Sequence, residues 1–349
     1  MGIITAIIVI GILVTVHELG HFFTAKWTGM LVEEFAIGFG PKLLSKKKGE
    51  TLYSLRAVPL GGFNKIAGME PDFPDEDGKI TEIPAPPGRG YKDKTIPARM
   101  LVILAGAMMN FLLPIVLYTG LAMTEGVEQF VDQPVLGEVR PDGPAFAAGL
   151  RAGDKLLTIN GKTLVSWTDV VTTVKENGVK PMDLTAEHQG VVQHYKMEPK
   201  MNRELGRPLI GISPRYDKHR CWPIEAVSVA VQQVWNLGYM MINGVWQIVT
   251  GRAPADLSGP IGVAVVAGKV AEQGLAAVVH FIAFLSINLG IINLLPLPAL
   301  DGGHFTLLCL EALRGKPLPP KVAEYIQYVG IGLILAITLF STYKDILRF

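Results

Sequence analysis

Four stretches of this chain are so long and so apolar that they leave little choice of environment. A helix needs about 20 mostly apolar residues to cross a bilayer. Residues 2–25 carry no charge except Glu18, and residues 100–123, 275–300 and 325–343 carry none. The third stretch also holds His280, Asn288 and Asn293. Composition agrees: of 349 residues, 49% are hydrophobic and only 18% charged, which moves the expectation from a soluble enzyme to a membrane protein. A net charge of +1 gives no reason to expect nucleic acid as a partner. Cys221 and Cys309 stand far apart in unlike contexts, so neither a disulfide framework nor a Cys-rich metal site is expected. The first stretch has no basic n-region and no small-residue cleavage site, and it reads as a span rather than a cleaved leader.

The basic residues set the orientation. Lys26, Lys42, Lys46, Lys47, Lys48, Arg56 and Lys65 lie between the first two spans. The positive-inside rule then puts the N-terminus outside, residues 26–98 in the cytoplasm and residues 124–220 outside. The loop with Arg314, Lys316 and Lys321 is inside again, and the C-terminus is outside. Residues 226–250 are uncharged but not cleanly apolar. Gln233, Asn236, Asn243 and Gln247 fall on one helical face, opposite Val227, Val234, Met241 and Val245. This segment reads as an amphipathic helix lying at the membrane interface, because one more span here would invert the third.

The chemistry sits inside the first span. His17-Glu18-Leu19-Gly20-His21 is H-E-x-x-H. Residues four apart on a helix share a face, so both imidazoles can meet one ion. The intervening Glu18 is then the group that activates water there, as in zinc proteases. Ionisable side chains at such depth are rare and need a metal, a water cavity or a counter-charge. A catalytic zinc needs a third protein ligand and an open position. Asp301 is the favoured candidate, because it directly follows Asn293-Leu-Leu-Pro296-Leu-Pro298-Ala-Leu, where the prolines break the helix and free backbone for a polar cavity. His304, three residues on, is the rival.

With these residues, the chain resembles the site-2 proteases, zinc intramembrane metalloproteases, and in particular the bacterial branch that regulates sigma-E. The resemblance spans nearly the whole chain. Beyond the two metal motifs it includes Gly38-Phe39-Gly40-Pro41, the run Val58-Pro59-Leu60-Gly61-Gly62-Phe63, and Ser258-Gly259-Pro260-Ile261-Gly262. It implies that His17, His21 and Asp301 bind one Zn2+, that Glu18 is the general base, and that Asn288 and Asn293 hold substrate backbone or the oxyanion. Two departures stand out. Ala107 occupies the place of a family proline, with Asn110 kept. One PDZ domain is expected here, where well-studied relatives carry two.

That PDZ-type unit begins at Leu136-Gly137-Glu138-Val139 and continues through Gly143-Pro144-Ala145, Gly153-Asp154-Lys155 and Ile159-Asn160-Gly161. A helix over 167–176 and a closing strand over 191–197 are expected, and the resemblance implies a peptide groove near 134–137. The unit either captures a peptide C-terminus or acts as a gate against large ectodomains. On the inner side, residues 51–60 alternate as a strand and Gly61-Gly62 reads as a turn. The resemblance makes this part of a membrane-associated β-hairpin, whose edge can pair with an unwound substrate. Residues 70–87, rich in proline and acidic side chains, read as a flexible loop.

The expected architecture is therefore a polytopic α-helical membrane protein with four spanning helices, an inserted extracytoplasmic β-rich PDZ domain and a cytoplasmic-side β-hairpin. Residues 1–123 and 259–349 form the two halves of the protease core, 124–200 the PDZ domain and 201–258 a linker with the interfacial helix. The expected activity is zinc-dependent cleavage of single-span membrane proteins within or near their transmembrane helix, in a bacterial plasma membrane. Anti-sigma factors and signal-peptide remnants are the substrates the resemblance suggests. A PDZ scaffold without activity predicts a missing ligand or base, and a metal transporter wants a polar path through several spans. Neither pattern is present in the sequence.

Overall fold

A computed structural model describes residues 2–69, 85–202, 206–252 and 259–348. In chain order the elements are α1 (Gly2–Trp27), β1 (Val32–Lys48), β2 (Thr51–Ile66), α2 (Ile96–Thr124), β3 (Val127–Phe130), β4 (Leu136–Val139), α3 (Pro144–Ala148), β5 (Lys155–Ile159), β6 (Lys162–Thr163) and α4 (Trp167–Asn177). They continue with β7 (Met182–His188), β8 (Val191–Met197), β9 (Lys200–Asn202), β10 (Arg207–Leu209), β11 (Ile212–Pro214), β12 (Tyr216–His219), α5 (Pro223–Val249), α6 (Pro260–Glu272), α7 (Leu275–Leu294), α8 (Asp301–Arg314) and α9 (Pro320–Arg348). The chain divides into two units, one formed by Met1–Leu121 with Trp222–Phe349 and the other by Ala122–Cys221.

In the first unit, four helices among the described residues are long and apolar enough to cross a membrane: Gly2–Trp27, Ile96–Thr124, Leu275–Leu294 and Lys321–Arg348. The third ends at Leu294, not at residue 300 as its hydropathy suggests. Pro296 and Pro298 cannot donate to a helical ladder, and each pushes its predecessor toward extended backbone; Leu295 has φ −63° and ψ 140°. Val9 and Leu13 of α1 meet Ile282 of α7 in one core cluster, with Leu113 and Leu117 of α2 packed against it. A second cluster joins Phe22 and Ala25 of α1, Val32 and Phe35 of β1, Ile66 of β2, Val102 and Ile103 of α2 and Leu308 of α8.

Helix α5 is built on a stripe of residues spaced three or four apart. Ala226, Ala230 and Val234 are buried. Ala230 and Val234, with Leu237 and Met241, pack against Tyr118 of α2 and Ala283 and Ile287 of α7. Val227 and Val245, expected on the apolar face, are 45% exposed. The opposite surface carries Trp235, Tyr239 and Trp246, all exposed.

The hairpin is larger than the alternation over 51–60 suggests. The chain reverses at Gly49-Glu50, and β2 runs on through Gly61-Gly62 to Ile66. Within β2 the chain doubles back between Leu55 and Gly62, so the turn expected at Gly61-Gly62 lies at the end of this reversal, where Gly61 has φ 149°. Gly62 also allows close approach, since a side-chain carbon there would lie 2.8 Å from the Ala36 carbonyl oxygen. Residues 34–37 of β1 have partners on both sides, Lys65 to Gly62 along one edge and Leu52 to Leu55 along the other. The expected loop falls largely on residues 70–84, which lie outside the described residues, as does Ser258.

The second unit holds a four-stranded sheet in the order β6-β5-β7-β8. Its core gathers Leu156 and Ile159 of β5, Leu184 and Ala186 of β7, Tyr195 and Met197 of β8, and Trp167, Val170 and Val174 of α4. Helix α4 starts on a capping box: Ser166 Oγ accepts from the Asp169 amide, and the Asp169 carboxylate accepts from the Ser166 amide. The unit does not end at residue 200. Strand β11 returns to pair with β4, and β12 with β3, so residues expected to be linker complete the unit.

Candidate active site

The helix of α1 places His17 and His21 one turn apart, with ring centroids 4.8 Å apart and planes nearly perpendicular. Their Nε2 atoms lie 3.2 Å from each other. Asp301, the first residue of α8, projects its Oδ2 to 3.2 Å from His17 Nε2 and 3.6 Å from His21 Nε2. Among the described residues these are the three that could share one ion. Four donors held tetrahedrally at zinc-like distances of 2.0–2.1 Å stand about 3.3–3.4 Å apart. The three observed separations match that spacing. Asp301 Oδ2 is buried without a hydrogen-bond donor, so a cation is the partner that its environment lacks. The donor set therefore fits zinc.

The ring nitrogens facing away from this centre are held by α2. His21 Nδ1 lies 2.8 Å from the Val102 carbonyl oxygen. That oxygen only accepts, so the proton is on Nδ1 and the Nε2 lone pair faces Asp301. His17 Nδ1 is 3.1 Å from the side-chain amide of Asn110. Asn110 is fully buried, and its main-chain oxygen accepts from Ser286 Oγ on α7 at 2.7 Å. Helix α2 comes this close because Gly106 stands where a side chain has no room. A Cβ there would lie 2.3 Å from His21 Nε2 and 2.8 Å from His17 Cε1.

Asn293, near the end of α7, places its amide 3.5 Å from His17 Nδ1. It stands at the edge of the cluster. Asn288 is half-buried on the same helix, and among the described residues no hydrogen bond joins it to His17, His21 or Asp301. The rival ligand His304 is turned elsewhere, with Nε2 3.1 Å from Gln327 Nε2 on α9. Glu18 receives two contacts from the hairpin: Asn64 Nδ2 lies 2.7 Å from its main-chain oxygen and 2.7 Å from its Oε2. Val102, Gly106 and Asn64 carry no signal in the sequence that marks them as parts of this site. Asn110, a lone polar residue inside an uncharged span, was legible as unusual but not as a partner of His17.

In the second unit, a groove of about 510 Å³ lies between α4 and β9–β11. Val170, Val174 and Ile210 line it, together with the exposed cations Arg140, Lys175, Lys200 and Arg207. The expected groove at 134–137 is not part of this lining; β4 there is occupied by its pairing with β11.

A family model described as Peptidase family M50 matches residues 5–337. Zinc metalloprotease RasP of Geobacillus kaustophilus is 34% identical over 416 residues, covering 100% of this chain and 98% of that protein. Regulator of sigma-W protease RasP of Bacillus subtilis is 33% identical and covers 99% of this chain and 98% of that protein. Among solved structures, the PDZ domain of an SdrC-like protein from Listeria innocua aligns with 26% of this chain and 100% of that domain, at 24% identity and a TM-score of 0.22.

Proposed function

The chain belongs to peptidase family M50 and is a zinc metalloprotease, and from that premise we propose that it cuts single-span membrane proteins within or near their transmembrane helix. The observation that carries the reading is the convergence of Asp301 with His17 and His21, which flank Glu18 on a helix long and apolar enough to cross a membrane. In this reading those three residues hold the zinc. The chemistry a zinc ion supplies there is Lewis acidity toward a water molecule and the scissile carbonyl oxygen. Glu18 takes the proton of the attacking water and returns it to the leaving amine. Asn293 is proposed to steady substrate backbone, a role its place 3.5 Å from His17 Nδ1 supports, and Asn288 is proposed for the same task from the resemblance alone.

A peptide bond inside a helix is shielded and must be extended before attack. The hairpin of β1 and β2 supplies strand edges on which an extended segment can pair. The lysines of residues 42–48 support the cytoplasmic placement of this hairpin, and with it an outer placement of residues 122–221 and both termini. The lie of α5 at the membrane interface is part of the same reading, supported by its exposed aromatic side. Proposed substrates are anti-sigma factors already trimmed outside, and signal-peptide remnants. The cationic groove of the second unit is proposed to take a peptide C-terminus, whose carboxylate its lysines and arginines complement.

The test uses purified protein in detergent and a tagged single-span substrate with a shortened ectodomain. Wild type is expected to cleave it. Glu18→Gln is expected to retain zinc and lose activity by about 10²–10⁴-fold, the range of general acid–base catalysis. Equal cleavage by both proteins overturns the role of Glu18. Stoichiometric zinc with no cleavage of any single-span substrate by wild type counts against the intramembrane reading.

A further inference from the structure

We propose that Asn64, on β2, is the residue that aims the Glu18 carboxylate, so that the hairpin as well as α1 sets the geometry of the base. The inference rests on the metalloprotease reading above and adds to it a residue in the hairpin. Asn64 Nδ2 lies 2.7 Å from both the main-chain oxygen and the Oε2 of Glu18. A main-chain oxygen can only accept, and so can an ionised carboxylate. The amide nitrogen must therefore face them; turned over, Oδ1 would meet two oxygens with no proton between. Both protons of the amide are spent on one residue, one on its backbone and one on its side chain. This makes a clamp and not a passing contact.

The clamp answers a need of the chemistry. A glutamate side chain turns about three bonds, and a base works only when its free oxygen points at the proton it takes. With Oε2 held by Asn64, Oε1 is left as the acceptor. The strand is itself fixed at this place. Asn64 pairs with Phe35 and Gly62 with Ile37 in the register of β1 and β2. A side-chain carbon at Gly62 would lie 3.1 Å from Glu18 Cγ, so the backbone of β2 is a wall for the same side chain. Asn64 Oδ1 is buried without a partner. The fold draws no hydrogen bond from that end of the amide, which is consistent with a side chain kept for Glu18 and not for the sheet.

The test compares Asn64→Ala, Asn64→Ser and wild type for zinc content, thermal midpoint, kinetics on the tagged substrate, and affinity for a peptidic hydroxamate, whose hydroxyl also needs the base. Asn64→Ala is expected to keep its zinc and its midpoint, lose about 10- to 100-fold in kcat with KM within about 2-fold, and bind the hydroxamate about 10-fold more weakly. Asn64→Ser, which keeps one donor, is expected to fall between. In a Glu18→Asp background, where the carboxylate no longer reaches the amide, Asn64→Ala is expected to cost little more. Unchanged kcat and hydroxamate affinity in Asn64→Ala overturn the proposal. So does a loss that tracks zinc or midpoint, or one of equal size in both backgrounds. Hydroxamate binding keeps this outcome separate from that of the protease reading: a wild type that binds hydroxamate but cleaves no single-span substrate weakens the latter alone.

Discussion

The centre is assembled from side chains whose second atoms are as constrained as their first. Ligation through Nε2 leaves a proton on Nδ1, and a buried N–H needs an acceptor. For His21 the Val102 carbonyl is that acceptor. For His17 the nearer of two amides in reach is that of Asn110, at 3.1 Å against 3.5 Å for Asn293, and the Asn110 Oδ1 is buried and has no donor. Presenting Oδ1 to His17 satisfies both groups at once. Asn110→Leu, close in shape but unable to accept, is therefore expected to weaken zinc binding about 10- to 100-fold. Asn110→Asp, which still accepts, is expected to retain zinc. Competition with a chelator of known affinity reads both, and equal loss in the two variants would mean that His17 is oriented by something other than this acceptor.

Among the elements, α8 has the most exacting task, since it carries Asp301 on its first turn. Three features set its start: the prolines that end α7, the left-handed Ala299 with φ 69°, and an ion pair further along the helix. Arg99 at the foot of α2 meets Glu311 of α8 through two contacts, 2.6 and 3.2 Å long, with both side chains largely buried. The guanidinium also lies over the Tyr91 ring, 5.8 Å from its centroid. Removing one partner strands the other, so Glu311→Leu is expected to cost about 3 kcal/mol of stability and to lower zinc affinity. Arg99→Met with Glu311→Leu removes both charges and is expected to recover most of that loss. Thermal midpoints in detergent measure it; a double variant worse than the single would show that the pair's attraction exceeds its desolvation.

At the scale of the molecule, the chain leaves one unit at Leu121 and re-enters it at Trp222, and the unit between has its own core. Its boundary matters for stability. A fragment of residues 122–221 is expected to unfold in one cooperative transition, while a fragment of residues 124–200 lacks β10, β11 and β12. The shorter piece leaves the partner edges of β3 and β4 unpaired and removes Ile210 from the core. Its midpoint is expected to fall by about 10 °C or more, the equivalent of about 2 kcal/mol in a domain this small. Circular dichroism of the two fragments decides it, and equal midpoints would restore the boundary at residue 200.

What the sequence determined by itself is local. Uncharged runs longer than a bilayer is thick predict spanning helices wherever they occur, and a spacing of four residues puts His17 and His21 on one face whatever surrounds them. Paired prolines end a helix for reasons confined to their own rings. The tertiary structure decided everything that depends on chain segments meeting. It brought Asp301 and not His304 to the histidines, set Asn64 against Glu18 across 46 residues, and set Val102 and Asn110 behind the imidazoles across 81 and 93. It also carried β11 and β12 back into a unit that the PDZ-type motifs and their closing strand end too early. These contacts leave no periodic trace, because each is fixed by the closure of helices and strands on one another and not by the residues next to it in the chain.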